Sequence, residues 1–235
     1  MPLSVLNNID HADLRVRIDR GAVFGDAVNQ TVVFPTEFEA LQREYVILFR
    51  RDPEHGWRST VLLGLDADEN LYLDGDRWDA DMIPALLERG PFSIGMPAPG
   101  TPGEPMIHID TDHPRVSTGD GMPLFLPHGG NAPYLDRIAS VLQTIFVGDQ
   151  ASPAMFAAFE AAGLLEPVTL DIELTSGRRY KVPDCWVIDG NRFAALGADA
   201  LAALHAQDFL RCAVWQLSSL GNLPRLVARK ERREG

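Results

Sequence analysis

Ten consecutive residues, Met96-Pro-Ala-Pro-Gly-Thr-Pro-Gly-Glu-Pro105, limit what this chain can fold into more than any other stretch. Their prolines remove backbone donors and their glycines add conformational entropy, so neither a helix nor a central strand accommodates them. The segment reads as an exposed loop and the best candidate hinge, and the residues on either side must supply their own elements. With 235 residues, 46% of them hydrophobic, the chain can bury a core large enough to need no disulfide or structural metal. One domain over residues 1–235 and two intimate lobes meeting near 96–105 both satisfy this.

Before the loop, Val32-Val-Phe34 and Tyr45-Val-Ile-Leu-Phe49 are β-rich runs flanking residues 35–42, where Thr36 and Glu39 read as a capping box at a helix start. Ser59–Leu65 and Asn70–Leu73, joined by Asp66-Ala-Asp-Glu69, read as a hairpin, followed by a short helix within Trp78–Glu88 and a strand at Phe92–Gly95. After the loop, Met106–Asp110 resumes as a strand. Pro133–Phe146 carries apolar residues at helical spacing, and Ser152 with Pro153 reads as the N-cap and first position of a separate helix. Val168–Leu174 alternates and Arg179–Val182 answers it across Thr175-Ser-Gly-Arg178, a second hairpin that Cys185–Ile188 extends. Helices over Asn191–His205 and Gln207–Leu220 precede a basic tail. The expected class is α+β, with short antiparallel strands and hairpins in the first half, and helices plus one hairpin in the second.

A formal charge of −12 argues against nucleic acid as a partner, because phosphate-backbone affinity comes from clustered Lys and Arg. The dense basic run Arg225, Arg229, Lys230, Arg232 and Arg233 reads as a solubilising tail. No apolar stretch approaches the roughly 20 residues that span a bilayer, and Met1–Asp10 lacks the regions of a secretory signal, which makes the cytoplasm the expected location. Cys185 and Cys212 sit in apolar settings and read as buried thiols.

The segment Leu62–Asp79, followed by Ile83-Pro84 and Arg89–Ile94, resembles the bacterial SapC family. The resemblance continues through Asp110, Pro123-Leu-Phe125, Leu164-Leu-Glu166, Thr175–Tyr180 and Gln216–Asn222, and so spans nearly the whole chain. These are packing and turn patterns rather than a catalytic signature. The family's association with surface-layer gene clusters, and with bacteria rich in outer-membrane uptake receptors, implies an accessory role in a surface or nutrient-uptake system. After Leu124-Phe125 the family usually shows an acidic turn, where this chain has Leu126-Pro-His-Gly-Gly130.

Two constellations are candidates for chemistry. His108, Asp110 and the more distant His128 have the His-x-Asp…His spacing of a facial triad for Fe(II) or another divalent metal, since alternate residues of a strand share a face. On the last predicted helix, Gln216, Ser219 and Asn222 form a polar line beside an apolar stripe; if buried, these groups need partners that a peptide or polar ligand can provide. Arg77 and Trp78, within the first matching segment, join them as candidate ligand-binding residues. The carboxylates from Asp66 to Asp81 lack the order of a calcium loop and read as two solvated turns. Phosphate-binding, nucleophile-elbow and Cys-x-x-Cys motifs are absent from the sequence. The expectation is a non-catalytic binding protein for a peptide or protein partner, needing no cofactor. A metal-dependent enzyme modifying peptides or proteins through His108, Asp110 and His128 is the alternative.

Overall fold

A computed structural model describes residues 3–54, 56–95 and 105–234 of the chain. Its centre is a five-stranded antiparallel sheet in the order Leu165–Glu173, Arg179–Ile188, Val46–Asp52, Gly56–Leu62, Gln30–Val33. The apolar run Tyr45–Phe49 is fully buried, as its central place requires. Phe156 and Phe159 at the end of a long helix, Pro133–Ala161, pack on Phe49 with ring centroids 5.0 and 6.0 Å away. A second antiparallel sheet sets Met106–Asp110 between Leu3–Val5 and Phe92–Gly95. Phe92 and Ile109 from this sheet join Val16, Leu124, Leu135, Ile138 and Leu142 in a second apolar cluster. The fold is α+β, and the long helix contributes its first half to one cluster and its last turns to the other. Residues 96–104 of the expected hinge lie outside the described residues. No described helix is long and apolar enough to cross a membrane.

The long helix corrects the expectation of a break at Ser152. Pro153 lies inside it and removes one intrahelical donor, while the Ser152 hydroxyl donates to the Gly148 carbonyl at 2.8 Å. Gly148 is small because another segment crosses there: a Cβ would stand 2.4 Å from Phe34 Cβ and from Thr36 Oγ1. Gly148 serves this close crossing, and neither it nor Pro153 marks a boundary.

The expected capping box is displaced by two residues, from Thr36 and Glu39 to Phe34 and Glu37. Pro35 opens a 3-10 turn over Pro35–Glu37, so Glu37 and not Glu39 reaches back to the Phe34 amide, at 3.0 Å, and Thr36 donates to the Thr144 carbonyl. The other Glu37 oxygen accepts from the Ala85 amide at 2.7 Å, tying the turn to the helix Ala85–Glu88, which begins right after Pro84, as that proline requires of a short helix within Trp78–Glu88. Burial pushes the Glu37 pKa up to about 7, while the Ala85 and Phe34 amides pull it down. A folded value above the unfolded one means the protonated form is favoured by folding. That contribution is complete below pH 4.5 or so and is lost as pH rises through 7. Stability should therefore fall by about 2–4 kcal/mol between pH 4.5 and 7.5 from this group, and urea melts of Glu37→Gln should lack that component.

The hairpin expected between Ser59–Leu65 and Asn70–Leu73 does not form. Gly56–Leu62 pairs instead with Gln30–Val33 and Val46–Asp52, and only the Leu71 amide reaches back, to the Leu63 carbonyl. The Asn70 amide is committed elsewhere, donating to Asp26 O while its oxygen accepts from the Tyr72 amide. Leu73–Asp74 pairs with Arg77–Trp78 in a small hairpin. At the C-terminal end, helices occupy Gly190–Ala194, Ala198–Ala206 and Phe209–Ser219, interrupted near Gly197 and Asp208.

The basic tail and the acidic turns are corrected together, because each is the other's partner. Residues Leu223–Glu234 are a helix, and its Lys230, with a side chain 5% exposed, lies 2.6 Å from Asp66, 2.7 Å from Glu69 and 3.2 Å from Glu234. Arg229 pairs with Asp79 at 2.5 Å over the Tyr72 ring. Burial opposes the Lys230 charge, but the Asp66, Glu69 and Glu234 carboxylates outweigh it and raise the ammonium pKa.

Candidate functional site

Five arginines converge on one open cleft of about 660 Å³, although the chain as a whole is acidic. Arg17 and Arg20 follow the short strand Arg15–Val16, Arg77 comes from the small hairpin, Arg115 precedes the strand Val116–Ser117, and Arg137 stands in the second turn of the long helix. Three carboxylates, Asp19, Asp76 and Glu88, share the lining, so arginines outnumber carboxylates within it, while Asp26 and Asp74 pair with Arg115 and Arg77 from outside it. Trp78, Ile83 and Ile138 supply an apolar wall.

Beneath the cleft is a buried ion pair. Arg115 and Asp26, 3% and 2% exposed, meet at 2.6 Å, and the Asp26 carboxylate also accepts from the Gly21 amide at 2.9 Å. The Arg115 guanidinium donates to the carbonyls of Arg17 and Asp19 and lies 4.4 Å from the Phe24 ring centre, which fixes the path of residues 17–20. Arg20 stands 3.6 Å from Asp26 and donates to the Leu87 carbonyl. Burial, and then the adjacent Arg115 charge, lowers its pKa. Two guanidiniums thus face one carboxylate, an arrangement that favours further negative charge.

The rim is less committed. Arg137 pairs with Glu88, donating through Nε at 2.7 Å, yet is 68% exposed; Arg77 is 79% exposed and only 3.8 Å from Asp74. The Tyr134 hydroxyl has no hydrogen-bond partner among the described residues, and burial pushes its pKa up to about 12, so it is a neutral donor at the cleft. Trp78 is held by its indole N–H, which donates to the Tyr45 hydroxyl at 2.8 Å, and by stacking on Tyr72.

Of the residues singled out from sequence, Arg77 and Trp78 line this cleft. Gln216, Ser219 and Asn222 do not: all three are buried, and their partners are the chain's own backbone. Gln216 donates to Ile47 O at 3.0 Å and accepts from Ile188 N at 2.9 Å; Ser219 accepts from Ile47 N; Asn222 donates to Gln42 O and Tyr45 O. These side chains stitch the fold and are unavailable to a ligand, which corrects their reading as a binding line. His108 and Asp110 share a strand, with the His108 ring lying across Gly95, whereas His128 stands exposed in the turn Leu126–Gly130. Among the described residues no three His, Cys, Asp or Glu side chains are placed to hold a metal ion. The triad reading fails because His128 is carried by a turn rather than a neighbouring strand. Cys185 and Cys212 are buried, which raises both thiol pKa values, Cys212 to about 11, away from nucleophile chemistry.

Sequence reading missed Arg17, Arg20, Arg115, Arg137 and Tyr134. The one local signal was Arg15, Arg17 and Arg20 within six residues of an acidic chain. No curated protein and no solved structure matches the chain. The SapC family does match, over residues 6–226, and the chain belongs to that family.

Proposed function

We propose that the chain is a non-catalytic binding protein whose arginine-lined cleft takes a carboxylate-bearing segment of a peptide or protein partner. The observation that carries this reading is the convergence of five arginines and the unbonded Tyr134 hydroxyl on one cleft with an apolar wall. Guanidiniums keep their charge across the physiological range and grip carboxylates with two parallel N–H donors, so they bind and orient rather than shuttle protons. Trp78, Ile83 and Ile138 favour an apolar residue beside the acidic one. The family's surface and uptake context supports a partner from such a system, met in the cytoplasm.

Isothermal titration at low ionic strength with acetyl-Leu-Glu-Leu-Glu-amide, and with its glutamine counterpart, tests this. The acidic peptide should bind and the glutamine peptide should be at least about tenfold weaker, the loss of a charge-assisted contact of roughly 1.5 kcal/mol. Arg137→Gln and Arg77→Gln, both at exposed positions, should each weaken binding of the acidic peptide, and raised salt should weaken it further. Equal affinity for the two peptides rejects the reading.

A further inference from the structure

A second cavity, of about 450 Å³, shares Arg115 with the cleft and is lined by Asp26 as well. Its polar lining is built differently from that of the cleft. Arg115 and Asp26 neutralise each other at 2.6 Å, which leaves Arg89 and Asp110 as the unpaired charges of the lining. Neither has a counter-ion within 4.0 Å among the described residues, and they do not pair with each other. Arg89 donates to the Phe92 carbonyl at 2.5 Å, and its partial burial, with no carboxylate to offset it, lowers its pKa. One Asp110 oxygen accepts from the Asp112 amide at 3.1 Å, and the other has no hydrogen-bond partner among the described residues.

Two neutral groups complete the lining. His113 Nδ1 accepts from the Arg115 amide at 3.1 Å, so in the neutral ring the proton is on Nε2, which is a donor. Burial, with Arg115 nearby, lowers the His113 pKa and keeps the ring neutral. The Ser93 hydroxyl has no partner among the described residues. Phe24, Leu86, Leu87 and Pro91 provide the apolar part of the wall.

An isolated anion placed here meets Asp110, and an isolated cation meets Arg89. A molecule carrying both charges satisfies both, and the apolar wall suits an aliphatic side chain. We propose that this second cavity binds a free aliphatic α-amino acid, its carboxylate on Arg89 with the His113 Nε2–H and Ser93 hydroxyl as further donors, and its ammonium on Asp110. The proposal concerns a separate cavity and stands whether or not the cleft binds acidic peptides.

Titration calorimetry of the intact protein with leucine, N-acetyl-leucine and leucine methyl ester tests it without altering the fold. Leucine should bind, and each blocked derivative should bind at least tenfold more weakly, since one removes the ammonium and the other the carboxylate. Asp110→Asn keeps the acceptor for the Asp112 amide and should abolish leucine binding while leaving the melting temperature near that of the parent. Arg77→Gln, at an exposed position that lines the cleft and not this cavity, should leave leucine binding unchanged. The proposal is overturned by no leucine binding up to 10 mM, by equal binding of either blocked derivative, or by tighter binding of inorganic phosphate than of leucine.

Discussion

Replacing Gln216 by leucine is expected to lower the free energy of unfolding by about 3–5 kcal/mol, a large share of the roughly 5–15 kcal/mol that holds a typical domain together. The strands Val46–Asp52 and Arg179–Ile188 pair at Trp186 and Phe49 and then diverge. The Gln216 amide fills the gap as a peptide group would, its N–H on Ile47 O and its carbonyl on Ile188 N–H. Leucine leaves both buried groups without partners. Glutamate keeps the acceptor for Ile188 but turns an oxygen toward Ile47 O. Gln216→Glu should therefore be as damaging at pH 7 and recover partly in acid, where a protonated carboxyl can donate. Urea unfolding at two pH values measures both effects. A loss below 1 kcal/mol for the leucine variant would show that the amide is not bridging these strands.

Asp26→Asn should cost about 3–5 kcal/mol, because it keeps the shape of the side chain and removes the one carboxylate bonded to Arg115 among the described residues. The nearby Arg20 guanidinium, 3.6 Å from the same carboxylate, then adds repulsion. Arg115→Met alone should be similarly costly, since it strands Asp26 and frees the carbonyls of Arg17 and Asp19. The double variant should cost clearly less than the sum of the two, because neither charge is left uncompensated. Additive losses in a double-mutant cycle would mean that the pair acts as two independent contacts. As the pair underlies the path of residues 17–20, each single variant should also weaken acidic-peptide binding.

The parts of this fold legible in sequence are those fixed by short-range pattern. Tyr45–Phe49 announces a central strand by its unbroken apolar run, and Val168–Leu174 with Arg179–Val182 announces a hairpin by alternation around a Gly-containing turn. Ser152 and Pro153 misled because they look alike in sequence whether they open a helix or lie inside one, and only the unbroken course of Pro133–Ala161 distinguishes the two. Charge runs misled for a related reason. A basic helix looks alike in sequence whether it is solvated or docked, and the partners of Arg229 and Lys230 lie 150 and 164 positions away. The polar line Gln216, Ser219 and Asn222 was visible, but whether its partner is a ligand or backbone depends on where two strands part. The cleft was least legible, since its arginines come from distant stretches and meet only when the small hairpin, the segment 17–20 and the start of the long helix come together.

Arginine side-chain Nε–Hε resonances, followed by NMR as acetyl-Leu-Glu-Leu-Glu-amide is added, test the cleft most directly. The expected result is saturable shifts for Arg20, Arg77 and Arg137, with Arg178 and Arg229, which are paired elsewhere on the molecule, left in place. Shifts spread evenly over all the arginines, or confined to Arg178 and Arg229, would contradict recognition of an acidic partner in this cleft.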